Sequence, residues 1–203
     1  MQKFDETYKN VTIKGSTFPG KPIDMEKKIS FSKEMMNEYI PLIAEVLKDK
    51  PKGLRLLCII MANKEGFYHG TRSYKTHNPG NIGNTDSGSN KACETLKDGI
   101  LLQVSYINRI VNGQSKTYPM GKRKIIPPFY SEEIASNAKN YGMSPWLPGY
   151  DFVFTGQLDQ FVKIYSTGAR AGNSYLSEIL SFFRNHGIEL KPDSKIQDII
   201  ELN

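Results

Sequence analysis

A chain of 203 residues with 38% hydrophobic and 24% charged residues is long enough to bury a core as one domain without metals or disulfides, and its composition excludes long disorder. No run approaches the roughly 20 apolar residues that a membrane-spanning helix needs, so no transmembrane segment is expected. The 27 Lys and Arg against 21 Asp and Glu leave a net charge of +6, which favours an anionic partner such as nucleic acid, a membrane surface or an acidic wall polymer without choosing among them.

Residues 1–30 are rich in Lys, Gly and Pro, with a candidate short strand at 10–14 and no sustained helical period. They are expected to form an N-terminal arm packed on a domain of residues 31–203. The opening Met1-Gln2-Lys3-Phe4-Asp5-Glu6 has no apolar stretch of the signal-peptide kind, so export by an ordinary secretory signal is not expected. Ser32 is placed to cap a helix with Met36, Ile40, Ile43 and Leu47 at helical spacing, which Pro41 must either kink or restart. Across residues 54–62 nearly every position is apolar, as in a helix buried on all sides, and Gly66 is placed as its left-handed C-terminal cap. Glu65 therefore ends the most buried helix.

Residues 66–94 concentrate turn formers, including Asn78-Pro79-Gly80-Asn81 and Asn84-Thr85-Asp86-Ser87-Gly88, which predicts a loop with a small β-hairpin. Thr95-Leu96-Lys97-Asp98 reads as a capping box opening a helix with Ile100, Val104, Ile107 and Val111 on its apolar face and Gly113 at its end. A basic, Pro-rich loop follows at 114–130, then a short helix near 132–140 and a turn-rich segment at 142–151. Leu158, Phe161, Val162 and Tyr165 mark the next amphipathic helix. Leu176, Ile179, Leu180 and Phe183 mark another, capped by Asn173 or Ser174 and stopped by Gly187, and Ile196, Ile199 and Ile200 a last short one. Helices outnumber strands and no repeat is present, so the fold class is mainly α (α+β) with a small β element.

Cys58 lies in an apolar run and Cys93 in a polar one, and both read as free thiols. Neither they nor His69, His77 and His186 have metal-ligand spacing, and phosphate-loop, dinucleotide and nucleophile-elbow motifs are missing, so neither a metal nor another cofactor is expected.

The chemistry centres on Glu65. Breaking a glycosidic bond needs a carboxylic acid that stays protonated near neutral pH, which burial and unfavourable local charge achieve. The apolar helix before Glu65 implies desolvation, and the negative end of its dipole disfavours ionisation. The plain alternative is a solvated Glu, or one paired to a nearby Arg.

The segment Lys64-Glu65-Gly66-Phe67-Tyr68, followed by Ser73-Tyr74-Lys75-Thr76-His77-Asn78-Pro79-Gly80-Asn81-Ile82-Gly83, resembles the phage lysozyme-like and lytic transglycosylase-like proteins, in which an E-G-F acid precedes an N-N-P-G-N-I loop. The resemblance covers about residues 53–186, and Ala171-Gly172-Asn173-Ser174-Tyr175-Leu176 is similar to the family's distal helix start. His77 stands where the family usually has a first Asn. The resemblance implies a lysozyme-like helical domain with a small β-hairpin beside the active-site cleft, Glu65 as the catalytic acid, and Asn78 to Ile82 as the loop leading to that hairpin. The implied activity is cleavage of the β-1,4 bond between N-acetylmuramic acid and N-acetylglucosamine in peptidoglycan glycan strands. A phage enzyme of this kind acts at the bacterial wall or periplasm after holin-type release, or within a virion among other virion proteins.

A second group decides the mechanism, because inverting enzymes place a base across the sugar and retaining ones a closer nucleophile. Asp86 is the candidate carboxylate, against an ordinary turn Asp bonded to its own backbone, and Thr85 could instead orient a water. A transglycosylase route, in which the substrate's own hydroxyl attacks, needs neither. Sugar clefts combine aromatic faces with amide and hydroxyl groups, which nominates Tyr68, Tyr74, Asn81, Gln157 and Tyr175, with Asn78 added by the loop resemblance. Arg72 and Arg170 are candidates for carboxylates of the wall polymer. The competing readings are a non-catalytic wall-binding or virion structural module on the same fold and, more weakly, a nucleic-acid-binding domain using Lys116, Lys122, Arg123 and Lys124. No helix-turn-helix or stacking motif supports specific nucleic-acid binding.

Overall fold

The structure, a computed structural model, describes residues 26–83, 91–112, 123–126, 150–153, 155–166 and 172–203. These residues are mostly helical. A π-helical segment, Met35–Tyr39, runs into α1 (Ile40–Val46), followed by α2 (Lys52–Lys64), α3 (Arg72–Lys75) and α4 (Leu96–Val111). Strands β1 (Arg123–Ile126) and β2 (Tyr150–Val153) come next, then α5 (Leu158–Ser166), α6 (Gly172–Asn185) and α7 (Ile196–Ile200).

The first helix resolves the Pro41 conflict by widening. Ser32 caps it, its hydroxyl accepting from the Met35 amide at 3.0 Å. Pro41 has no N–H to give and its ring would crowd the carbonyl four residues back. The chain instead takes a wider turn just before it, with the Ile40 amide bonded to the Met35 carbonyl, and the helix passes through without a break.

Helix α2 is the centre of the molecule, touching α1, α4, α6 and α7. Leu54, Leu56, Leu57, Cys58, Ile59, Ile60, Met61 and Ala62 are all buried, as a helix covered on all sides requires. Gly53 lets α7 cross its start, since a Cβ there would lie 1.8 Å from the Ile199 carbonyl oxygen. The Gly53 amide is instead free to bond Leu202 O at 2.8 Å.

Helix α4 has the complete capping box of Thr95 and Asp98, and buries Ile100, Val104, Ile107 and Val111. Leu158, Phe161, Val162 and Tyr165 of α5 and Leu176, Ile179, Leu180 and Phe183 of α6 complete the core, with Ile196, Ile199 and Ile200 of α7. Gly187, at φ +76°, stops α6, and the Ile188 amide reaches back to Phe183 O at 3.0 Å. Helix α6 spans Gly172–Asn185, so Asn173 and Ser174, expected as its cap, fall within its first turn. Ahead of the first helix, Glu26 pairs with Arg184 and Lys27 with Glu178, which fixes the end of the arm to α6.

The β element departs from expectation. Residues 66–83 and 91–94 contain α3 and turns but no strand, and 84–90 lie outside the described residues. Backbone groups here find local partners, including the side chains of Ser73 and Asn78, and so need no ladder. The antiparallel pair is β1 with β2, in register Arg123 with Val153 and Ile126 with Tyr150, within stretches read as a basic loop and a turn-rich segment. The candidate strand at 10–14, the helix near 132–140 and Gly113 lie outside the described residues. Cys58 and Cys93 are free, and among the described residues no helix is long and apolar enough to cross a membrane.

Candidate active site

Glu65 is the C-cap residue of α2, directly after Lys64 and before the left-handed Gly66. The Gly66 amide bonds Asn63 O at 3.1 Å and the Phe67 amide bonds Ala62 O at 3.2 Å, closing the helix around Gly66 at φ +74°. Phe67, buried against Tyr39 and Tyr74, anchors the exit. The Ser73 hydroxyl donates to Gly66 O at 3.0 Å and the Ser32 hydroxyl to Phe67 O at 2.8 Å. The backbone on the exit side of the acid is thus held from two directions.

The Glu65 carboxyl is largely buried, and that burial raises its pKa above the ordinary carboxylate value. Three weaker influences oppose the shift: hydrogen bonds from Asn81 and Tyr175 and the positive charge of Lys64. The Asn81 amide donates to Oε2 at 3.3 Å and the Tyr175 hydroxyl to Oε1 at 3.2 Å. Both bonds orient the group and favour its charged form, offsetting part of the effect of burial. Burial also pushes Tyr165 and Tyr175 well above the usual phenol value, so both remain neutral donors.

The loop bearing Asn81 is built to hold its shape. Asn78 is 0% exposed; its Oδ1 accepts from the Ile82 amide at 3.0 Å, and its Nδ2 donates to Ile82 O at 2.8 Å and Lys91 O at 2.9 Å. Asn78 is therefore not a sugar contact, because its amide is spent on its own loop. His77 and Asn81 sit at φ +49° and +52°, the left-handed region that non-glycine residues seldom adopt. The His77 ring turns its Nδ1 to Glu94 O at 3.1 Å and Cys93 O at 3.3 Å.

Two glycines let this loop sit on the helices. A Cβ on Gly99 of α4 would lie 1.8 Å from His77 O, and one on Gly80 would lie 2.6 Å from the Tyr165 hydroxyl. That hydroxyl donates to Gly80 O at 2.8 Å. Behind it is Gln103, fully buried, which accepts from the Tyr39 hydroxyl at 2.7 Å and donates to Cys58 O at 3.2 Å. Tyr165 and Gln103 were not nominated by sequence reasoning. Gln103 left a signal, a polar residue on the apolar stripe of α4, where burial demands partners.

The other nominated residues divide. Tyr175 reaches the acid, but at 2% exposure, with its hydroxyl directed at Glu65, it holds the carboxyl rather than facing a ligand. Tyr68 is 52% exposed and lies over Gly66, the residue that follows Glu65. Tyr74 packs on Phe67 and His69 and donates to Glu38, which directs its hydroxyl toward the first helix. Gln157 is half-buried at the start of α5, its backbone bridging Lys195, and takes no part in the carboxyl's hydrogen bonds. Thr85, Asp86 and Arg170 lie outside the described residues. Among the described residues no group of His, Cys, Asp and Glu is placed to hold a metal ion.

A buried, oriented carboxyl with a raised pKa is suited to giving a proton to a bound substrate. Comparisons with protein-family models, with curated proteins and with solved structures find no match to this chain.

Proposed function

We propose that this chain is a peptidoglycan-degrading glycosidase of lysozyme-like fold that cleaves the β-1,4 bond between N-acetylmuramic acid and N-acetylglucosamine, with Glu65 as proton donor. The observation that carries this reading is convergence on one carboxyl group. The acid-bearing helix end, the Asn78-Pro79-Gly80-Asn81 loop and the distal helix are the segments that resemble the phage enzymes. They meet at Glu65 through Asn81 and Tyr175, which lie 16 and 110 residues along the chain from it.

In this mechanism protonated Glu65 gives its hydrogen to the glycosidic oxygen as the bond to the sugar breaks, and is left as the carboxylate. Asn81 and Tyr175 fix the carboxyl's orientation before substrate arrives, which lowers the ordering required in the transition state. Their hydrogen bonds then help to accommodate the negative charge that appears. Asp86 or Thr85, both outside the described residues, is the proposed partner that directs water in the hydrolytic route. In the transglycosylase route a hydroxyl of the muramic sugar attacks and an anhydro sugar forms. The net charge of +6 suits an acidic wall polymer, and the proposed setting is phage lysis or a virion-associated enzyme.

One observation favours a second reading. Each Glu65 oxygen already has a donor, as a carboxylate would that merely ties α2 to the loop and to α6. That is the non-catalytic wall-binding or virion structural module. The masses of soluble products from purified peptidoglycan separate the outcomes: reducing muropeptides mean hydrolysis, anhydro-muropeptides mean transglycosylation, and binding without products means an inert module.

A further inference from the structure

Glu65 has a lysine for a chain neighbour. The positive charge of Lys64 favours the ionised carboxylate, the wrong form for a proton donor. Its ammonium, however, is engaged elsewhere: Lys64 Nζ lies 2.9 Å from Glu178 Oε1, and Lys27 Nζ lies 2.6 Å from the same oxygen. The Glu178 side chain is only 12% exposed. It sits on α6 one turn beyond Tyr175, so the helix that delivers a hydroxyl to Glu65 also delivers the carboxylate that holds Lys64.

We propose that Glu178 is a positioning residue for the acid: it binds the Lys64 ammonium in an ion triad with Lys27 and so keeps that ammonium from pairing with Glu65. This rests on Glu65 being the proton donor, although the electrostatic relationship is measurable without turnover. Lysine carries its charge on a flexible four-carbon stem and moves to whichever carboxylate is within reach. Once Glu178 is lost, the Lys64 charge, which already acts on Glu65, is released to move toward it. The groups that bear on Glu65 are Asn81 of the loop, Lys64 on α2, Tyr165 on α5 and Tyr175 on α6. Burial keeps Tyr165, Tyr175 and nearby Cys58 neutral. Among the described residues this leaves Lys64 as the charge acting on the acid, with Glu178 and Lys27 controlling where it sits.

The test is a carbon-13 NMR titration of the Glu65 carboxyl in the full chain, in wild type, Glu178→Gln, Lys64→Gln and the double variant. Glu178→Gln should move the midpoint to lower pH by about half a unit, a fraction of the one to three units that a directly paired opposite charge produces. Lys64→Gln should move it to higher pH, and adding Glu178→Gln to Lys64→Gln should then change it little. An unmoved midpoint in Glu178→Gln, or an equal shift with and without Lys64, would overturn the proposal. Should Glu178→Gln fail to fold, Lys64→Gln alone decides, and an unchanged midpoint there overturns it as well. Normal shifts without glycan products would remove the glycosidase reading and leave the lysine clamp standing; products with unmoved midpoints would do the reverse.

Discussion

The Tyr165 hydroxyl donates to the Gly80 carbonyl at 2.8 Å, one residue before the asparagine whose amide reaches Glu65. A core helix therefore sets the position of the loop that orients the acid. Tyr165→Phe leaves that buried carbonyl without its donor, a loss of about 1–3 kcal/mol in denaturant unfolding. Turnover should fall while KM changes little, because the loop's aim on Glu65 is loosened. Gly80→Ala brings a Cβ to 2.6 Å from the same hydroxyl. Because Phe removes the clashing oxygen, the double variant should be less destabilised than the sum of the singles, a departure from additivity that a double-mutant cycle measures.

Asn78 satisfies three backbone groups of its loop with one side chain. Asn78→Ala should destabilise by about 3 kcal/mol, since buried amide and carbonyl groups lose partners together. Asn78→Asp should be at least as damaging, because the two carbonyl oxygens that now receive N–H donors would face a carboxylate. Thermal unfolding of both variants checks this ranking, and a harmless Asn78→Asp would show that the loop does not depend on those donors.

Gly66 closes α2 at φ +74°, where a Cβ is strained by its own backbone. Gly66→Ala should cost about 1 kcal/mol of stability. It should also reduce turnover more than that loss explains, because the residue it displaces is Glu65. Calorimetry combined with activity measured well below the melting temperature separates the two effects.

The raised pKa of Glu65 fixes the sign of two pH dependences. Between the ordinary Glu value of 4.5 and the higher folded value, the folded state holds a proton that the unfolded chain has lost. The contribution of Glu65 to stability is therefore present below the ordinary value and declines as pH rises through the folded one. Activity should fall on the same alkaline side as the proton donor empties. Glu65→Gln should remove this part of the stability slope and be relatively more stable than wild type at neutral pH, which denaturant unfolding at several pH values would show.

The helices and the acid's place in them were legible because each is set by local rules. The all-apolar stretch before Glu65, the Thr95 and Asp98 capping box, and Gly66 and Gly187 as stops each need only a few neighbouring residues to specify them. The β1–β2 pair was not legible because it joins segments some two dozen residues apart in sequence, while the turn of the expected hairpin, at 84–88, lies outside the described residues. Asn78 and Tyr175 were nominated as sugar contacts because amides and phenols suit sugars. Their burial comes from tertiary packing, which residue type does not encode. Lys64 with Glu178, 114 residues apart, left no sequence signal at all.

The most direct test of the central claim is the rate at which purified wild-type and Glu65→Gln proteins release soluble fragments from peptidoglycan. Gln matches the shape of Glu and can keep its contacts but has no proton to give. Measurable turnover in wild type, reduced at least about 100-fold in Glu65→Gln with folding intact, is the predicted result. Equal release by the two proteins would contradict the assignment of Glu65 as the acid.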